Sequence, residues 1–90
     1  MNRNQFFEAA VLKRYGKKVE IFTEHKLNDK NEIIQTTNKW VTPKNNVYFL
    51  IEELVNGLTK RAILKQNNRD WSFKNHLEAE VTLIDKIGEE

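Results

Sequence analysis

The residues of this chain that could do chemistry are few and widely spaced. Ser72 is its only serine, and His25 and His76 are its only histidines. No Gly-x-Ser-x-Gly elbow surrounds Ser72, so a hydrolase nucleophile of that kind is not expected. The glycines at 16, 57 and 88 stand alone, which leaves no Gly-rich loop to cradle a phosphate or dinucleotide. With no cysteine there can be no disulfide framework, thiol nucleophile or thiolate-held metal.

Three acidic arrangements remain. On a strand, His76, Glu78 and Glu80 would project from one face at successive ~7 Å steps, where neighbours could share a cation. Alternating acids are also the ordinary face of a solvated strand, and that reading is preferred. Glu24 and Lys26 have the Glu-x-Lys spacing of metal-dependent nuclease cores but lack a well-placed upstream Asp. Glu52 and Glu53 are neighbours, which on a helix would stand roughly 100° apart and could not face each other as an acid–base pair. The expectation is no catalytic residue, no cofactor and no metal.

A binding surface is the better prospect. Lys60, Arg61, Lys65, Arg69 and Lys74 crowd one segment against a single acid, Asp70, with Trp71, Phe73 and His76 interleaved. Cations that neutralise phosphates beside aromatic faces that stack on bases are the combination used for single-stranded nucleic acid. The candidate binding residues are therefore Lys60, Arg61, Lys65, Arg69, Lys74 and Trp71. Against this, Trp71 and Phe73 share an apolar face with Leu77, and a place in the core is the preferred reading for the pair. The stretch Leu77–Glu90 holds five acids and one lysine, and the net charge of the whole chain is only +2. A generalist polyanion binder carries a larger excess, whereas mixed patches suit a protein surface.

The elements that must position these residues can be read from periodicity. From Asn4 to Tyr15, the residues Phe6, Phe7, Ala10, Val11 and Tyr15 form one helical stripe, with Asn2 or Asn4 as N-cap and Gly16 as terminator. Val19 to Lys26 alternates as a half-buried strand, Asn28–Asn31 is a turn, and Ile33–Val41 reads as the returning strand, with Trp40 packed against a helix. Pro43 then opens a loop. Val47, Leu50, Ile51, Leu54, Val55 and Leu58 fit the helical template from end to end, with Asn46 as cap, so a helix is expected from about Val47 to Leu58. Its residues Leu50, Ile51, Leu54, Val55 and Leu58 are then expected in the core.

Thr59–Gln66 reads as a strand and Gln66–Asp70 as a turn. Beyond it Trp71, Phe73, Leu77, Ala79, Val81 and Leu83 fall on odd positions, predicting a long strand with Asn75 as a bulge or break. A terminal helix through Phe73, Leu77, Val81 and Ile84 is the competing reading.

The order expected is α-β-β-α-β-β, an α+β domain with two helices packed on a small antiparallel sheet. Ninety residues allow one such domain. No apolar run approaches a membrane span and no signal-peptide core follows Met1, so the chain reads as soluble and cytoplasmic. Eleven Lys against four Arg, with eleven Asn and seven Ile, is the bias of A/T-rich bacterial or phage coding. The functional expectation is a non-enzymatic protein acting stoichiometrically on a protein or protein–nucleic-acid partner, as phage inhibitors and counter-defence proteins do in host cytoplasm. A direct nucleic-acid-binding regulator using residues 60–76 is the alternative.

Overall fold

A computed structural model describes residues 1–90. The chain runs α1 (Arg3–Tyr15), β1 (Glu20–Leu27), β2 (Ile33–Val41), β3 (Val47–Val55), β4 (Leu58–Gln66), β5 (Arg69–Phe73) and α2 (His76–Gly88). The five strands form one antiparallel sheet in sequence order. Neither helix is long and apolar enough to cross a membrane.

Local chemistry starts and stops the helices. Asn2 caps α1 by accepting the Gln5 N–H at 2.8 Å, while the Gln5 side chain accepts the Asn2 N–H, a reciprocal capping box. Gly16 ends the helix with φ 67°, a left-handed conformation that costs glycine little. Lys13 and Arg14 sit in the last turn, where the helix dipole favours them.

The α+β class stands, with two helices on an antiparallel sheet, but the order is α-β-β-β-β-β-α. Two elements differ from the sequence reading. The expected helix from Val47 to Leu58 is instead β3 and the start of β4. Its helical template drew on both faces of a strand: Tyr48, Leu50 and Glu52 point one way, Val47, Phe49 and Ile51 the other. A strand with apolar residues on both faces has no clean alternation, and a run such as Val47–Ile51 cannot be assigned by period alone. The deciding signal is Asn56-Gly57. Both residues adopt positive φ, 53° and 78°, and close the two-residue turn between β3 and β4. Asn-Gly is the strongest short-range hairpin signal because its left-handed pair matches the twist of the flanking strands. Leu50 is buried as expected, but Val55 and Leu58 are exposed beside that turn, and Ile51 and Leu54 are half-buried.

The second difference lies at the C-terminal end. The expected strand breaks after Phe73, and the competing helix is the one that forms. Asn75 is its N-cap, accepting the Glu78 N–H at 2.9 Å, rather than a bulge. The helix buries Ala79, Glu80, Leu83 and Ile87, while Leu77 and Val81 stay exposed. The odd-position alternation through this segment was a coincidence of helical spacing.

Both helices cover the same face of the sheet. Val11 of α1 and Leu83 and Ile87 of α2 form one buried cluster with Ile21, Trp40, Tyr48 and Leu64. Ala79 extends the contact to Leu50 and Ala62. Phe7 packs against Trp40 with ring centroids 5.7 Å apart, so Trp40 meets a helix as expected. Lys17 donates to the Ile87 carbonyl at 2.9 Å, tying the end of α1 to the C-terminus of α2. The opposite face of the sheet carries no helix.

Candidate functional site

Cross-strand register decides which side chains share the uncovered face. Successive pairs place Phe22 beside Lys39, Lys39 beside Phe49, Phe49 beside Lys65 and Lys65 beside Asp70. Side chains of directly opposed residues lie on one face with Cβ atoms ~5 Å apart, so these five form a row across the whole sheet. The next row is Glu24, Thr37, Ile51, Ile63 and Ser72. Beyond it come Lys26, Gln35, Glu53 and Arg61.

The centre of this face is apolar and partly open. Ile63 is nearly buried between its neighbours, whereas Phe22 is 53% and Phe49 38% exposed. Phe22, Glu24, Thr37, Lys39 and Phe49 line a notch of about 260 Å³. An aromatic ring left half in water forgoes roughly 1 kcal/mol of burial, so two on one face mark a surface that could gain by being covered. Charges of both signs share this face in equal number, with Lys39 standing between the two rings. Lys26, Lys39, Arg61 and Lys65 are matched by Glu20, Glu24, Glu53 and Asp70. Only Lys65 and Asp70 approach each other as an ion pair, at 3.8 Å with both exposed.

The segment singled out from the sequence is divided by the sheet. Arg61 and Lys65 lie on the uncovered face. Trp71 pairs with Leu64 and Phe73 with Ala62, so both aromatics turn to the helix side and pack against the core. The Lys86 ammonium from α2 sits 4.0 Å from the Trp71 ring centroid, covering a face that a base would need. Arg69, two residues before Trp71, belongs to the same helix-side register. Lys60 is the extra residue where β3 and β4 slip, between the Glu53–Arg61 and Leu54–Thr59 pairs. Lys74 is exposed in the turn before α2. The six candidate residues thus do not form one surface.

The acidic candidates separate likewise. His76, Glu78 and Glu80 lie on α2 rather than a strand. The His76 ring meets the Thr59 hydroxyl at 3.3 Å, Glu78 is exposed, and Glu80 turns under the sheet. Glu52 is not on a solvated helix face, because β3 points it inward, where it is only 4% exposed. One nitrogen, Arg3 Nη2, meets both carboxylates: Glu52 at 3.3 Å and Glu80 in closer contact.

Arg3 and Glu52 of this cluster line a polar cleft of about 460 Å³ where the helices leave the sheet uncovered, beside the start of α1. Its walls are internally satisfied. Asn4 donates to the Thr23 hydroxyl at 2.9 Å, Thr23 donates to Asn38 Oδ1 at 2.7 Å, and the His25 ring meets Thr36 Oγ1 at 2.9 Å. Buried polar groups cost little once partnered, so the cleft reads as the joint that anchors α1. Searches against family models, characterised proteins and solved structures find no match to this chain.

Proposed function

We propose that this is a non-enzymatic binding protein that docks one partner protein stoichiometrically on the uncovered face of its sheet. The observation that carries the reading is the exposed pair Phe22 and Phe49, which flank Lys39 in one row beside Ile51 and Ile63, on a face whose charges are of balanced sign. An apolar, aromatic centre with a charged rim is the anatomy of a protein interface. Charges of both signs at the rim select a partner and set its orientation more than they add affinity. The notch between the two rings suits an apolar or aromatic anchor from that partner. The cleft beside α1 does not compete for the role, because its carboxylates are already held by Arg3.

Direct nucleic-acid binding is the second reading, and the row that interleaves Phe22 and Phe49 with Lys39 and Lys65 favours it. The acidic helix α2 lies on the other side of the sheet from that row and offers little repulsion to a strand laid along it. The carboxylates that oppose a polyanion are those on the face itself, Glu20, Glu24, Glu53 and Asp70. Four cations facing four carboxylates leave no net attraction, and the protein reading is preferred on that balance.

Titration of labelled single- and double-stranded oligonucleotides at ~0.15 M salt separates the two. The protein reading expects no submicromolar binding. Submicromolar affinity with a log–log salt slope near −3 to −4, made shallower by Arg61→Ala with Lys65→Ala, establishes the nucleic-acid reading instead.

A further inference from the structure

β1 is an edge strand, paired with β2 on one side only. Both main-chain polar groups of Ile21 are taken by α1: its N–H donates to Glu8 Oε1 at 3.3 Å and its carbonyl accepts from Asn4 Nδ2 at 3.5 Å. Ile21 therefore directs its main chain away from β2. The two-residue period makes Thr23, His25 and Leu27 do the same. The slip near Leu27 falls on β2, which carries the extra residue Ile34, so β1 keeps its period. No turn, cap or side-chain hydrogen bond of the chain ends on the main chain of Thr23 or His25. Helix α1 thus blocks one end of the edge and leaves the rest open.

An open edge is a template for another strand, and charges commonly decide what it accepts. The side chains between these positions, Phe22, Glu24 and Lys26, stand on the uncovered face. Neither Glu24 nor Lys26 has an ion-pair partner within the chain. A second β1 could approach antiparallel in several registers, of which one centred on Lys26 sets the two Lys26 ammonium groups directly opposite each other and is destabilising. A register centred on Thr23 requires Ile21 to give up its bonds to Asn4 and Glu8. One centred on Glu24 sets the two Glu24 carboxylates directly opposite each other, which is destabilising. One centred on His25 leaves Ile21 untouched and sets Glu24 opposite Lys26 of the second copy, twice by symmetry.

We propose that β1 pairs with β1 of a second copy in the register centred on His25, joining two sheets into one of ten strands. The interface is isologous, as a two-fold dimer requires. His25 exchanges main-chain hydrogen bonds with its counterpart, Thr23 does so with Leu27 of the second copy, and the Glu24–Lys26 pairs flank them on the uncovered face. The two faces then lie side by side, giving the dimer two equal docking surfaces on one side.

Sedimentation equilibrium of the full chain, from micromolar to millimolar concentration, tests this. The wild type is expected to associate to a dimer. Glu24→Lys and Lys26→Glu each replace attraction by repulsion at two symmetric places and should raise the dissociation constant about tenfold. The double swap, Glu24→Lys with Lys26→Glu, should restore it. Exchange of the Thr23 and His25 amides should slow as the dimer forms. Phe22→Ala with Phe49→Ala should leave the dimer in place, which separates this proposal from the docking reading. A wild type still monomeric at millimolar concentration overturns it. So do a dimer indifferent to both single reversals, a swap that does not restore association, and a dimer whose Thr23 and His25 amides stay unprotected.

Discussion

Arg3→Ala should destabilise this protein far more than a change at a half-exposed terminal residue ordinarily does. Glu52 and Glu80 have side chains only 6% and 5% exposed, and the one cation that meets them is Arg3, itself 46% exposed. Removing it leaves two carboxylates under the sheet without a counter-charge. Breaking a fully buried pair costs ~3–5 kcal/mol, and the open side of Arg3 reduces this to roughly 2–3 kcal/mol through solvent screening. For a chain of this length that corresponds to a fall in Tm of roughly 10–20 °C. Thermal and urea denaturation at neutral pH measure it. Glu80→Gln supplies the internal control. In wild type it weakens the ion cluster and lowers Tm; in the Arg3→Ala background it relieves like-charge repulsion and raises Tm. An Arg3→Ala variant with unchanged midpoint, or a Glu80→Gln change that lowers Tm equally in both backgrounds, refutes the assignment of Arg3 as the shared counter-ion.

Leu50→Ala should cost ~2–5 kcal/mol and Leu58→Ala less than ~0.5 kcal/mol, because Leu50 is 1% and Leu58 75% exposed; urea midpoints of the two variants check it. Equal losses would mean that both face one core, as the helical reading of this segment required. Gly57→Ala should cost roughly 1 kcal/mol, since the glycine sits at φ 78° in the β3–β4 turn where any side chain is strained although space is open, and chemical denaturation would read the loss. The Tyr48 phenol is held above its ordinary pKa, first by burial and then by the nearby Glu90 carboxylate. A raised folded-state pKa means that the unfolded chain loses this proton first. Tyr48 therefore contributes stability that is present below the unfolded value of ~10 and is lost as pH rises through the folded one. Ultraviolet titration should show a late phenolate step that Tyr48→Phe removes.

The parts of the fold that were legible in the sequence are those where local chemistry and tertiary packing agree. Asn2, Gly16 and the stripe through Val11 define α1 without reference to anything distant. The strand alternation around Ile21, and the Asn-rich turns at 28–31 and 67–68, define the flanks of β1, β2, β4 and β5. β3 masks its period because it is apolar on both faces: Phe49 and Ile51 on the uncovered side remove the alternation that announces a strand. The Asn56-Gly57 pair carried the missing information and outweighs the helical template once its left-handed geometry is considered. In α2, alternation and helical spacing overlap from Leu77 to Leu83, and only the cap at Asn75 discriminates.

The candidate surface was harder to see for a related reason. A linear cluster such as 60–76 is folded by a hairpin, and the period of two sends Arg61 and Lys65 to one side and Trp71 to the other. Phe22 was the visible clue, an aromatic in the polar register of β1 between Glu20 and Glu24. Its partner Phe49 lies in β3, whose apolar residues on both faces imitate a helical stripe. In the Arg3–Glu52–Glu80 cluster Arg3 lies 49 or more positions from each carboxylate it meets, and no local pattern announces such a meeting.

The measurement that bears most directly on the docking face is photo-cross-linking from the sheet itself. A photoreactive phenylalanine analogue at position 49 should join the chain to one partner protein in a one-to-one adduct, and Phe22→Ala with Lys39→Glu should abolish it. The same analogue at Leu77, exposed on α2 away from that face, should give none of that adduct. Capture of the same protein from position 77 but not from position 49, or adducts at position 49 made only with nucleic acid, would contradict the account.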